Sequence, residues 1–269
     1  MLPLTALVIV TGVYLAVDRG QGAPPVSVTA PTEEPAATEA AAPRLTPLAS
    51  VCEGTLRRPD PKDPKSFPAE YIKRVEARGI TVVANAKVSD EALAKARETI
   101  ERMFASNDLA GVLADQGAYV IIADATQGVL DLPEFACLQG SRGDSIYDNV
   151  CGVADRADYP VATVNELDLT GNRRGPCRGL NILYHELGHL VQGWTLSPAD
   201  YFDVRQLYQA ALDAGKYRGE YAATNPNEYF AEATQAYFLH NEARGGHDRK
   251  WLKGYDSDLY ELLVRIYGD

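Results

Sequence analysis

Asn181 to Gln192 reads NILYHELGHLVQ, and within it His185-Glu186-Leu187-Gly188-His189 has the pattern H-E-x-x-H. The stretch is apolar at helical spacing, and Leu183, Leu187, Leu190 and Val191 can bury one side of a helix. Residues i and i+4 stand one above the other on a helix face, so both imidazoles can reach one ion. Glu186 stands beside them and can lean toward a water on that ion. Chance supplies this pattern only about 0.004 times in a chain of this length and composition. The pattern therefore decides both the fold and the chemistry: a helix carrying a single zinc ion, with Glu186 as the general base.

Zinc in a catalytic site takes three protein ligands and leaves a position open for water. The longer metzincin form, H-E-x-x-H-x-x-G-x-x-H, fails here because Gln192 replaces its glycine and Thr195 its third histidine. His240 and His247 have no supporting spacing. A carboxylate from a later helix, as in the gluzincins, is the better third ligand. Asn225-Pro226-Asn227-Glu228-Tyr229-Phe230-Ala231-Glu232 opens such a helix, with Asn225 as cap and Pro226 in the first position. Glu228 and Glu232 then share one face. Glu228 could instead close a capping box with Asn225, and Glu232 could be a solvated charge. A site still short of one carboxylate assigns Glu228 to zinc and Glu232 to the free N–H of a ligand histidine. Exchange of the two carboxylates is the alternative.

HELGH followed by Tyr221-Ala-Ala-Thr-Asn-Pro-Asn-Glu-Tyr-Phe-Ala-Glu232 resembles the catalytic domain of the anthrax lethal factor family and related gluzincins. It is more similar still to a broad group of secreted, largely uncharacterised bacterial and fungal metallopeptidase-like proteins. The resemblance extends upstream through Gly79-Ile80-Thr81-Val82 and Asp131-Leu132-Pro133-Glu134. It implies His185, His189 and Glu228 as ligands, Glu186 as base, and Tyr221 as a stabiliser of the oxyanion. Nothing else in the sequence singles out Tyr221 among 15 tyrosines. The resemblance implies a zinc endopeptidase acting on proteins or peptides. The alternatives are an inactive zinc-containing surface binding module and a metal-dependent hydrolase of a non-peptide bond.

The rest of the chain sets the address and the frame. Of 269 residues, 46% are hydrophobic and 23% charged, as in a globular protein. A net charge of -11 disfavours nucleic acid as a partner. Leu2 to Val17 (LPLTALVIVTGVYLAV) is apolar and of secretory length, although no Lys or Arg precedes it. Residues 1–19 therefore read as a signal peptide or a membrane anchor, which would tether the protein through residues 2–17. Residues 20–50, rich in Ala, Pro, Thr and Glu, read as a disordered linker. Residues 51–269 form the domain, placed in a secreted or extracytoplasmic setting. Cys52, Cys137, Cys151 and Cys177 permit three pairings, with none chosen.

The expected fold is α+β and zincin-like: a small N-terminal mixed sheet with helices, then a helical half carrying the site. Expected strands are 80–84, 118–123 and 161–164. Expected helices are 67–78, 89–104, 179–193, 198–214, 226–241 and 255–267. Residues 132–160 read as a long irregular loop and, with the segment before the HELGH helix, as cleft wall. Substrate specificity and oligomeric state are not legible.

Overall fold

The computed structural model describes residues 57–140, 147, 150–154, 156, 158–239 and 247–269. The expected leader, the linker and His240 lie outside the described residues. No described helix is long and apolar enough to cross a membrane.

The fold is α+β. Five strands, β1 (Lys73–Ala77), β2 (Ile80–Ala84), β3 (Tyr119–Ala123), β4 (Gly152–Val153) and β5 (Val161–Asn165), form one sheet in the order β1-β2-β3-β5-β4. The central pairs β2–β3 and β3–β5 are parallel, and the outer pairs β1–β2 and β4–β5 are antiparallel. The central strands read ITVVA, YVIIA and VATVN, β-branched runs buried along their whole length. Burial on both faces explains why they lack a polar alternation.

Alternate residues of these strands feed two cores. Ile80, Val82, Val120, Ile122, Ala162 and Val164 face one way, toward the helices. Val83, Tyr119, Ile121 and Val161 face the other, toward the loops around residues 129–138 and Tyr159. On that second face the buried Glu134 accepts hydrogen bonds from Tyr71 Oη at 2.6 Å and Tyr119 Oη at 3.0 Å. Burial raises the Glu134 carboxyl above its ordinary value, despite those donors.

Among the described residues there are eight α-helices. They are α1 (Asp90–Met103), α2 (Leu109–Asp115), α3 (Glu166–Leu169), α4 (Leu183–Trp194), α5 (Pro198–Asp213), α6 (Pro226–Phe238), α7 (Arg249–Tyr255) and α8 (Ser257–Tyr267). Ser89 Oγ caps α1 by accepting from Ala92 N, and Leu93, Ala96, Ile100 and Met103 bury its apolar stripe. Ser197 and Asn225 cap α5 and α6, each followed by proline in the first turn.

Three expectations are corrected. Residues 67–78 are not a helix: Lys73–Ala77 is a strand, and only Pro64–Ser66 forms a 3-10 turn before it. Ala77 pairs with Ile80 across Arg78 and Gly79, whose φ angles are 51° and 82°. That two-residue turn with positive φ is the hairpin connection that matches strand twist. Val75 and Ala77 turn inward and Arg74 and Glu76 outward, a period of two that the helix-forming side chains of this segment mask. The loop 132–160 holds the short edge strand β4. The expected helix 226–241 ends at Phe238. The expected last helix is α8, and a separate short helix, α7, precedes it where none was expected. Cys151 and Cys177 form a disulfide, and Cys137 is also disulfide-bonded. The position of Cys52 lies outside the described residues.

Candidate metal centre

Helix α4 starts against the sheet-facing core. Asn181 holds its entry: Oδ1 accepts from Leu183 N at 3.0 Å, and Nδ2 donates to Thr99 Oγ1 of α1 at 3.0 Å. The helix is buried on most sides, and His185 and Glu186 are only 8% and 5% exposed. Gly188 faces α6. A Cβ there would lie 3.1 Å from Thr234 Cβ and 3.3 Å from Ala231 Cα, so only glycine lets the two helices approach this closely.

That approach brings the N-terminal turn of α6 onto the histidines. Asn225 Oδ1 accepts from Asn227 N at 2.8 Å and Glu228 N at 3.0 Å, which fixes the first turn. Glu228 Oε2 lies 3.2 Å from His185 Nε2 and 3.4 Å from His189 Nε2, and the two Nε2 atoms are 3.0 Å apart. Glu232, one turn on, places Oε1 3.2 Å from His185 Nδ1. The two carboxylates thus divide between the two nitrogens of one imidazole. The 3-10 turn Tyr221–Ala223 sets the Tyr221 ring beside His185, with centroids 6.2 Å apart. All six residues expected in the site are therefore brought together.

The three converging atoms fit a zinc ion. Tetrahedral bonds of about 2.0–2.1 Å imply edges of about 3.3–3.4 Å between ligands. The observed edges of 3.0, 3.2 and 3.4 Å are of that size. Two imidazole nitrogens and one carboxylate oxygen form a donor set that zinc accepts. The electrostatics agree. Burial would lower the pKa of His185, but Glu228 and then Glu232 outweigh it and hold the imidazole well above its ordinary value. Burial would raise Glu228, but His189 and then His185 hold it well below its ordinary range.

Two contributors were not foreseen. Gly152, on edge strand β4, is the wall beside Glu186: a Cβ there would meet Thr163 O at 2.2 Å, Ile182 Cδ1 at 2.7 Å and Glu186 Oε1 at 3.2 Å. The second is Gly188, whose role depends on a helix 43 residues later. Its presence inside HELGH was the available signal; Gly152 offered only a glycine in a stretch without period. The Cys151–Cys177 disulfide joins this wall to the segment entering α4. Cys151, Asp168 and Cys177 also cluster, but Asp168 accepts from Cys177 N at 2.9 Å and Gly179 N at 2.7 Å, organising that segment.

No curated protein matches the chain. The family model for the anthrax toxin lethal factor, N- and C-terminal domain, matches residues 67–265, a span that contains the whole sheet and all six site residues. With most of its length matched, and a metal-ligand cluster on its HELGH and NEYFAE helices, the chain belongs to the anthrax toxin lethal factor family.

Proposed function

We propose that the domain is a zinc-dependent endopeptidase that hydrolyses peptide bonds in protein or peptide substrates. The observation that carries this reading is the triangle of His185 Nε2, His189 Nε2 and Glu228 Oε2 with Glu186 on the same helix. Membership of a metallopeptidase-related family supports it. His185, His189 and Glu228 would hold one zinc per chain. Bound there, zinc supplies a water with a pKa near about 7 and a Lewis acid for the scissile carbonyl.

The chain's own groups do the rest. Glu186 takes the proton from the attacking water and delivers it to the leaving amine. Its burial against Gly152 keeps bulk water from competing for that proton. Tyr221 donates a hydrogen bond to the developing oxyanion. Glu232 accepts the His185 Nδ1–H, so that Nε2 presents its lone pair inward. The apolar run 2–17 and the Ala/Pro-rich stretch 20–50 support an exported or surface-tethered setting.

The test is an unbiased peptide-library digest with the purified protein, with Glu186→Gln as the blank. Cleavage at internal peptide bonds, lost in the blank and after chelation, is the expected result. A zinc-loaded protein that cleaves nothing in the library would overturn the reading.

A further inference from the structure

Tyr221 sits on a segment whose anchors lie away from the zinc ligands. Residues 216–223 run from the end of α5 to the cap of α6. Their first two residues are tied to one buried carboxylate, Asp256, at the break between α7 and α8. Lys216 Nζ donates to Asp256 Oδ1 at 2.9 Å, and Tyr217 Oη donates to Asp256 Oδ2 at 3.1 Å. Tyr229 Oη donates to the same Oδ2 at 2.7 Å. Tyr229 is the residue after Glu228, so this carboxylate also grips the first turn of α6.

The neighbouring groups extend the clamp. Tyr217 N donates to Tyr255 Oη at 3.0 Å, one residue before Asp256. The Tyr217 ring packs edge-on against Tyr229 and Tyr255, with centroids 5.4 and 5.1 Å apart. At the far end of the segment, Tyr208 Oη of α5 donates to Ala223 O at 2.8 Å. Burial, reinforced by Asp256, holds the Tyr217 phenol above its ordinary value, so it remains a donor.

We propose that Asp256 is a positioning residue for the site: through Lys216 and Tyr217 it holds the Tyr221 segment in register against the first turn of α6, which Tyr229 ties to the same carboxylate. This rests on the reading of Tyr221 as the oxyanion donor. A donor aimed at a developing charge is worth its full effect only when its direction is preset. The 3-10 turn carrying Tyr221 is one turn long and cannot preset itself. Asp256 adds a fixed anchor at the start of the segment, at Lys216 and Tyr217.

The experiment is a double-mutant cycle in the full chain, with Asp256→Asn and Tyr221→Phe, reading kcat, KM, zinc content and amide exchange. Asp256→Asn should keep its zinc and hold KM within about twofold while lowering kcat by about 10- to 100-fold. In the Tyr221→Phe background the same change should cost less than about twofold. Amides 217–223 should exchange at least about tenfold faster while those of α4 stay protected. A carboxylate that merely stiffens the core would speed exchange in α4, α6 and α8 alike and cost the same in both backgrounds; either result overturns the proposal. Should Asp256→Asn fail to fold, Lys216→Met and Tyr217→Phe each remove one arm and should show the same dependence on Tyr221 at smaller size. An impaired Tyr221→Phe with multiplicative losses defeats this proposal alone. A Tyr221→Phe as active as wild type defeats the reading of Tyr221, and this proposal with it.

Discussion

His185 has a carboxylate on each ring nitrogen, Glu228 on one and Glu232 on the other. The two carboxylates therefore predict different failures. Glu228→Gln should abolish zinc binding, whereas Glu232→Gln should loosen it by roughly 10- to 100-fold, both read by competition with a chromophoric chelator. The reverse pattern would exchange their roles. Glu186→Gln should retain zinc and fold but lose nearly all turnover, because an amide cannot take the proton of the attacking water. The metal-free protein carries a pH signature. His185 is raised, so its contribution to stability is full below its unfolded value of 6.5 and fades as pH rises through the folded value. Glu228 is lowered, so its contribution is full above 4.5 and fades as pH falls through the folded value. Both are complete only between 4.5 and 6.5. The difference in Tm between metal-free wild type and Glu228→Gln should peak in that window; a pH-independent difference would show that the pair is not coupled. The convergence of His185 with His189, and of Glu228 with Glu232, was legible because i, i+4 spacing is geometry written into sequence. Tyr221 was legible only through resemblance, since no local period marks a residue on a short turn.

Elements were legible where local pattern and tertiary setting agree. Strands β2 and β3 and helices α1, α5 and α6 fall near their expected bounds because caps and apolar runs coincide there. Strand β1 was hidden because KRVEA is good helix material, and only pairing with β2 overrules that preference. Strand β4 has two residues, too few to show a period. The contact of α4 with α6 is likewise invisible in either helix alone, although Gly188 is its imprint. Gly188→Ala should gain about 1 kcal/mol of helix propensity. Against that, a methyl pressed on Ala231 Cα and Thr234 costs roughly 1–3 kcal/mol of overpacking. We expect a net loss in Tm and, because α6 must retreat, weaker zinc binding. An unchanged affinity would mean that the helices yield without moving Glu228.

Across the whole molecule, the sheet separates a face that supports the site from a face closed by loops and the Glu134 cluster. The Cys151–Cys177 bond spans 26 residues and ties the β4 edge to the entry of α4. Replacing both cysteines with alanine should cost about 3.5 kcal/mol by loop entropy, measured in urea. Its pairing was not legible, because four cysteines without a motif carry no partner information. Helix α6 touches α4, α5, α7, α8 and the Tyr221 turn, so its tilt is set by most of the helical half. Gly188 makes its crossing with α4 a pivot. Glu228 lies three residues from Ala231, about 4.5 Å along the axis from that pivot. A tilt of about 10° with rotamers unchanged would swing its oxygen by about 0.8 Å, against a tolerance of about 0.2 Å in metal–ligand distance. Metal affinity is in that sense a goniometer: it reads, to about 3°, how well the packing around α6 holds one interhelical angle.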